Sequence, residues 1–131
     1  MRQPSVSVEW VDHTQTAIMI VFPERWDLHD FKEAFETVHA LMASAPHTVH
    51  LITVLPARFL LPPQLFYKIP DIFQGIPENS GLHVVVGGGT LTRTLLGVAK
   101  RTFPHLIVNI RIAASRDDAL QIVADTTNPG V

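Results

Sequence analysis

The stretch that decides the fold is Val49-His50-Leu51-Ile52-Thr53-Val54-Leu55, which is apolar on both of the faces that a strand would present. Strands that are covered on both sides in a parallel sheet have this composition. Two further runs of the same kind lie at 82–86 and 106–112, and each of the three is followed by a segment that can be helical. Repeated alternation of strand and helix predicts an α/β sandwich whose central strands are parallel.

The residues before this stretch predict a hairpin and a long helix. Polar and apolar residues alternate over 5–12 and an apolar run follows at 17–22, so two antiparallel strands are expected at one side of the sheet. Asp27 is a suitable N-cap for a helix that ends at Pro46. The apolar residues of this helix repeat at 3.6-residue spacing, and we expect Phe35 among them to be buried. They are Phe31, Ala34, Phe35, Val38, Leu41 and Met42.

The residues after the central run complete the predicted fold. Prolines allow helix in 56–77 only in short pieces, with a kink or a restart at Pro70. Thr90 is expected to cap a helix over 90–103, and Ser115 is expected to cap the last helix. The whole pattern predicts a mixed, mostly parallel sheet of about five strands with about four helices.

Length and composition indicate one domain without a nucleic-acid-binding surface. The chain has 131 residues, a net charge of −2 and a pI near 6.4. We therefore expect a single domain over 1–131, with an ordered core at about 5–126, and no basic footprint for nucleic acid. No stretch approaches the ~20 apolar residues of a membrane span, and cysteine is absent, so a soluble, cytoplasmic protein is expected. The hydrophobic content of 47% against 17% charged residues favours an apolar surface for a partner or a ligand.

The order of these elements resembles the STAS fold over nearly the whole chain. This is the family of the bacterial anti-sigma factor antagonists and of the cytoplasmic domains of sulfate transporters, and it has STAS-like relatives that share an architecture with lipid-binding CRAL-TRIO domains. Local features that carry the resemblance are the Asp27-Leu28 helix start and the final helix start at 115–120. The resemblance implies a STAS-like sandwich and a regulatory, protein-binding role.

One regulatory feature of that family has no counterpart in this sequence. In the antagonists, an Asp-Ser pair after the third strand carries the phosphorylated Ser that blocks partner binding. The corresponding stretch here is Phe59-Leu60-Leu61-Pro62-Pro63-Gln64, which has no hydroxyl residue. The resemblance therefore implies a module that binds a partner or a ligand but lacks this phosphoswitch.

The segment 58–73 is the predicted working surface. It is rich in apolar and aromatic residues, and its prolines prevent a regular helix from packing closely on the sheet. We predict that a partner or a ligand is bound by Arg58, Phe59, Leu61, Phe66 and Tyr67. The plain alternative is that these side chains only cover one face of the sheet.

A glycine-rich turn is a second candidate site. Gly88, Gly89 and Thr90 lie where a strand enters a helix, with Arg93 one turn further, so backbone N–H groups there could hold an anion. The turn matches neither the dinucleotide-binding nor the P-loop pattern. The plain alternative is a tight turn followed by an N-cap.

No residue pattern indicates catalysis, a metal or a cofactor. The seven histidines form neither HxxxH nor HExxH, although His50 and His83 could be neighbours in the sheet. A nucleophile elbow of the GxSxG type is also absent from the sequence. We therefore expect a protein that is not an enzyme, has no catalytic residues and binds neither metal nor cofactor.

Two functions remain open at this stage. The first is a non-enzymatic regulatory or protein-interaction module, bacterial and homodimeric, that works through 58–73. The second is a binder or sensor of a small apolar, lipid-like ligand held beneath the same segment. A flat exposed apolar patch would favour a protein partner, whereas a cavity of a few hundred Å³ would favour a ligand.

Overall fold

A computed structural model describes residues 6–58, 64–105 and 109–127 of the chain. Within these ranges, strands and helices follow one another in the order predicted from the sequence. The elements are β1 (Ser7–Trp10), β2 (Ala17–Val21), α1 (Leu28–Ser44), β3 (Val49–Val54), α2 (Leu65–Phe73), β4 (Ser80–Val86), α3 (Gly89–Thr102), β5 (Ile110–Ala113) and α4 (Arg116–Thr127).

The sheet is mixed and mostly parallel, which confirms the predicted α/β class. The strands lie in the order β1-β2-β3-β4-β5, with β1 antiparallel to β2 and all later pairs parallel. Leu51 pairs with His83 and Thr53 with Val85. Because side chains alternate between the faces of a sheet, Thr53 and His83 lie diagonally opposite on the same face.

Three helices cover one face of this sheet and one helix covers the other. The parallel strands are consecutive in space, so right-handed crossovers place α1, α2 and α3 on the same side. Such a strand order contains no point where the winding reverses, and that reversal is where open α/β sheets usually form their crevice. A crevice at the carboxyl edge of the strands is therefore not expected, and the space between the helices and the sheet is the alternative.

Helix α4 packs more closely on its face of the sheet than α2 and α3 pack on the other face. The Cα atoms of α4 come within 8 Å of β3, β4 and β5 at several points, whereas those of α2 and α3 scarcely do so for any strand. Small residues explain the close approach of α4, since Ala119 is fully buried and Ala113 lies in the same apolar cluster. On the other face, Phe35 and Phe73 stand between the helices and the sheet.

The first long helix agrees with its sequence pattern. The Asp27 carboxylate accepts a hydrogen bond from the Asp30 N–H at 2.8 Å, and the Asp30 carboxylate accepts one from the Asp27 N–H at 3.0 Å. This reciprocal capping box satisfies two N–H groups that a helix start would leave without partners. Phe35 is 2% exposed, so its predicted burial is confirmed. Ser115 also accepts a hydrogen bond from the Asp118 N–H and caps α4 as predicted.

The predicted cap of α3 was wrong. The cap is Gly88, in a left-handed conformation, and no side chain caps this helix, so Thr90 is not the N-cap. Helix α2 is short, as predicted, and contains Pro70 without a restart, while the alternative of a kink at Pro70 stays a prediction. Within the described residues, strand β5 spans Ile110–Ala113, and Asn109 before it has a positive φ of 58° that a regular strand does not contain. Residues 106–108 lie outside the described ranges.

Gly87 allows β3 and β4 to end side by side. Its φ is +88°, and a Cβ atom at this position would collide with the carbonyl oxygen of Leu55. The Leu55 N–H in turn donates to the Val86 carbonyl at 2.8 Å. Only glycine combines this dihedral angle with so close a backbone approach.

We predict opposite effects of the same substitution at two glycines. Gly87→Ala should lower the free energy of unfolding by more than about 1 kcal/mol, because the new methyl group is both strained and crowded. Gly97→Ala is the matched control on α3, where nothing lies within 4 Å of the added Cβ, and it should raise stability by about 0.5–1 kcal/mol. Urea denaturation measures both changes. Equal effects of the two substitutions would contradict the assigned backbone at Gly87.

Candidate functional site

The space between α2, α3 and the sheet forms a cleft with a volume of about 120 Å³. Its walls are almost entirely apolar and come from all three helices of this face and from β3 to β5. We call this space the inner cleft. Its described lining consists of Phe22, Trp26, Phe31, Phe35, Thr53, Leu55, Leu65, Ile69, Phe73, His83, Val85, Thr92, Leu95, Leu96, Ala99 and Ile110.

Aromatic rings form one continuous wall of the inner cleft. The centroid of Phe31 lies 5.7 Å from that of Trp26 and 4.7 Å from that of Phe35. Phe35 continues the series to Phe73 at 5.2 Å and to His83 at 6.4 Å. These separations are those of favourable ring pairs, so the rings pack against one another between the helices and the sheet.

A second cavity of about 120 Å³ adjoins the inner cleft toward the amino ends of the strands. The two spaces share four lining residues, namely Phe35, Phe73, His83 and Ile110. The sheet face under α1 and α2 is therefore incompletely filled along much of its length.

Thr53 and His83 provide a polar pair on the floor of the cleft. The Thr53 hydroxyl and Nε2 of His83 lie 2.7 Å apart and form a hydrogen bond. Although a small part of His83 remains exposed, protein atoms surround its ring, and this desolvation lowers its pKa to about 4. The imidazole is therefore neutral near pH 7, and its tautomer decides whether it donates to Thr53 or accepts from it.

Thr92 is the third polar residue of the cleft. It lies in the second turn of α3 and is only 3% exposed. Its N–H donates to the Gly88 carbonyl, but its hydroxyl oxygen is buried and has no hydrogen-bond partner among the described residues. A buried hydroxyl without a partner costs free energy, so such a group calls for an explanation.

The structure describes three of the five predicted surface residues of 58–73, namely Arg58, Phe66 and Tyr67. Arg58 is exposed and Tyr67 is 80% exposed, whereas the Phe66 ring packs 5.3 Å from that of Phe103 on the side of α3. Phe59 and Leu61 lie outside the described residues.

The residues of α2 that do line the inner cleft were missed. They are Leu65, Ile69 and Phe73, which repeat every four residues and therefore share one face of the helix. This four-residue spacing is visible in the sequence. It was not used because a kink or a restart was expected at Pro70.

The glycine-rich turn forms the start of α3. Gly88 and Gly89 have φ angles of 75° and 54°, while Thr90 and Arg93 are exposed beyond them. This geometry agrees with the plain alternative of a tight turn before a helix. The anion site stays a prediction.

The two strand histidines do not share a site. His83 pairs with Leu51, the residue after His50, so the two imidazoles lie on opposite faces of the sheet. His50 accepts a hydrogen bond from the Leu82 N–H through Nδ1 at 2.9 Å. Across the described ranges, no three His, Asp or Glu side chains are grouped so that they could hold a metal ion.

A larger groove of about 440 Å³ lies between α1 and α2 on the outer surface. Exposed side chains of both charges form its rim, including Lys32 and Lys68 opposite Glu36 and Asp71. These charges are solvated and balanced, so they select no ligand. The inner cleft is smaller but far more apolar, and it is therefore the better candidate.

Comparison of the chain with models of known protein families, with curated proteins and with solved structures found no match. The resemblance to STAS domains stays a prediction. Among the described helices, none has both the length and the apolar content needed to cross a bilayer.

We predict that acid destabilises the protein through His83. The unfolded chain binds a proton on this residue near pH 6.5, whereas the folded protein binds it only near pH 4. Stability is therefore unaffected by His83 above pH 6.5, falls as the pH decreases between these two values, and levels off below the lower one. The loss is at most about 3 kcal/mol of the free energy of unfolding.

Urea denaturation at about pH 7.5 and about pH 4.5 measures this effect. His83→Gln should reduce the difference between the two pH values, and His13→Gln, at an exposed position, should leave it unchanged. A residual slope is expected because burial also lowers the pKa of His39 and of His50. An unchanged difference in His83→Gln would contradict the prediction.

Proposed function

We propose that the protein is a non-enzymatic binder of a small, predominantly apolar ligand, which it holds in the inner cleft. The observation that carries this proposal is the space of about 120 Å³ that apolar walls leave open between α2, α3 and the sheet. Protein interiors are normally packed to the density of organic crystals. This volume is below the few hundred Å³ expected for a larger ligand, so the open apolar space favours binding of a small molecule.

The size of the space indicates the size of the ligand. The inner cleft has a volume of about 120 Å³. An engineered cavity of roughly 150 Å³ in another protein binds benzene. A molecule of about this size would recover the missing contacts, and the adjoining cavity leaves room for a short extension.

The chemistry of the walls indicates the class of the ligand. Among the described lining residues, none carries a charge near pH 7, and the aromatic wall offers ring faces and edges. Desolvating an ionised ligand here would be costly because nothing compensates its charge. Aromatic and short aliphatic molecules fit these walls best.

In this proposal, the ligand enters past helix α2. It is nine residues long, has no side-chain N-cap and contains Pro70, which donates no backbone hydrogen bond. Gln64, at its start, adopts a left-handed conformation with φ of 67°. A short helix with so few supporting bonds opens at low cost, and its opening would expose Leu65 and Ile69 to an entering ligand.

We predict that toluene raises the melting temperature of the protein and that filling the cleft abolishes this effect. Ala99 lies on α3, is 3% exposed and lines the cleft, so Ala99→Leu should occupy the ligand's space. Ala43→Leu makes the same change at an exposed position of α1 and should retain the shift. Differential scanning fluorimetry with increasing toluene measures it.

A second filling variant covers the case in which Ala99→Leu fails to fold. Ile69→Phe enlarges a half-buried side chain of α2 that also lines the cleft, and it should likewise remove the response to toluene. The proposal is wrong if toluene does not stabilise the unmodified protein, or if a folded filled variant responds as strongly as Ala43→Leu does.

A protein-interaction module resembling STAS domains is the second candidate function, and Tyr67 favours it. Its side chain is 80% exposed, and large exposed aromatic residues are enriched at protein interfaces. Under this hypothesis the protein forms a homodimer through α2, and Tyr67→Asp should convert it to a monomer in sedimentation velocity measurements. An unmodified protein that sediments as a monomer would contradict the homodimer.

A further inference from the structure

Thr92 is the one described polar side chain of the inner cleft whose hydroxyl has no partner. Thr53 and His83 satisfy each other through their hydrogen bond of 2.7 Å. The Thr92 hydroxyl oxygen is buried and unpaired, although the residue is 97% buried in an apolar part of the cleft wall. Valine has the same shape and would avoid the cost of this hydroxyl. A threonine at this position is therefore less stabilising than valine would be, but it keeps a hydroxyl group that valine lacks.

The side chain can present either of two groups to the cleft. A threonine in a helix populates two χ1 rotamers, and rotation between them moves the hydroxyl to a different position about Cβ. In the unliganded cleft the hydroxyl oxygen is covered. A ligand that carries a hydrogen-bonding group would favour the rotamer that brings the hydroxyl to the wall, because the bond satisfies both partners at once.

The group on the ligand must be uncharged. The described lining contains no Lys, Arg, Asp or Glu, and Arg93, the neighbour of Thr92, is exposed and lines a separate groove beside β5. An ionised carboxylate or amine would enter the cleft without a counter-charge. A neutral hydroxyl or carbonyl needs only one hydrogen-bond partner, which Thr92 supplies.

We infer that Thr92 determines specificity in the inner cleft, and that the ligand is a small aromatic or short-chain molecule with one neutral hydroxyl or carbonyl group. This inference rests on the proposed function, since it names the class of ligand for the same site. Residues that lower stability in order to serve binding are expected at functional sites.

Phenol and toluene provide the first test, because they differ only in a hydroxyl and a methyl group of similar size. Thr92→Val should weaken phenol binding by about 3- to 10-fold, the effect of one neutral hydrogen bond, and leave toluene affinity within about twofold. Isothermal titration calorimetry measures both affinities. The change in phenol affinity is compared with the change in toluene affinity. The different desolvation free energies of the two probes cancel in this comparison.

Two matched variants complete this test. Thr92→Ser keeps the hydroxyl and should retain most of the affinity for phenol, while Thr94→Val changes an exposed threonine of the same helix and should alter neither affinity. Without ligand, Thr92→Val should have a higher melting temperature than the unmodified protein, so failure to fold is not the expected outcome. A lower melting temperature would show that the hydroxyl already has a partner, and would overturn the inference.

The second test compares acetophenone with benzoate, which have similar shapes but differ in charge. We expect acetophenone to bind at least tenfold more tightly than benzoate. Comparable affinity of the two, or equal weakening of phenol and toluene by Thr92→Val, would overturn the inference while leaving the proposed function intact. Absence of binding by all four probes would overturn the proposed function and this inference with it.

Discussion

Phe35 lies where α1, α2 and the sheet meet, and the shape of the inner cleft depends on its ring. The side chain is 2% exposed, and its ring centroid lies 4.7 Å from that of Phe31 and 5.2 Å from that of Phe73. It is also the only described residue that lines all three of the outer groove, the inner cleft and the adjoining cavity. A phenylalanine fixes this spacing because its ring is large and has few rotamers. A smaller residue would let α1 and α2 settle toward the strands.

The two faces of the sheet show the consequence of side-chain size. Ala113 and Ala119 allow α4 to pack directly on β4 and β5, and this face forms a closed apolar cluster. On the opposite face, bulky rings meet the polar pair of Thr53 and His83, and the helices cannot close over them. One face of the sheet is therefore closely packed, whereas the other face retains open space. This division is typical of proteins that carry a site on an otherwise well-packed fold.

Burial keeps the floor of the cleft uncharged. A cationic imidazole would draw water into the apolar space and would attract anionic ligands. Because desolvation lowers the pKa of His83 to about 4, the histidine acts near neutral pH as a hydrogen-bonding group toward Thr53 and not as a charge. The neutrality of the cleft is therefore maintained by the fold itself over the physiological range of pH.

Sequence patterns predicted the features of this protein that depend on residues close together along the chain. The apolar run at 49–55, the N-cap at Asp27 and the cap at Ser115 are short-range signals, and the structure confirms each of them. The cap of α3 was missed because a glycine in the left-handed conformation replaces a side-chain cap, and nothing in the sequence chooses between Gly88 and Thr90.

The inner cleft was predicted only as a space beneath 58–73, without its residues. Its polar groups come from β3, β4 and α3, and the sheet register that brings Thr53 and His83 together is a long-range property. Helix α2 is short, as predicted, but the restart at Pro70 that was one of the expected outcomes does not occur. Pro70 weakens the helix, but the packing of Ile69 and Phe73 above the sheet holds it in one piece.

The central claim is that a small neutral molecule binds between α2, α3 and the sheet. Intermolecular nuclear Overhauser effects between phenol and the ¹³C-labelled protein test it most directly, because they report which methyl groups lie next to the bound ring. We expect contacts from one phenol molecule to Ile69 of α2, Val85 of β4 and Leu95 of α3 together. Contacts confined to Ile72 of the outer groove, or to Val123 on the opposite face, would contradict the account.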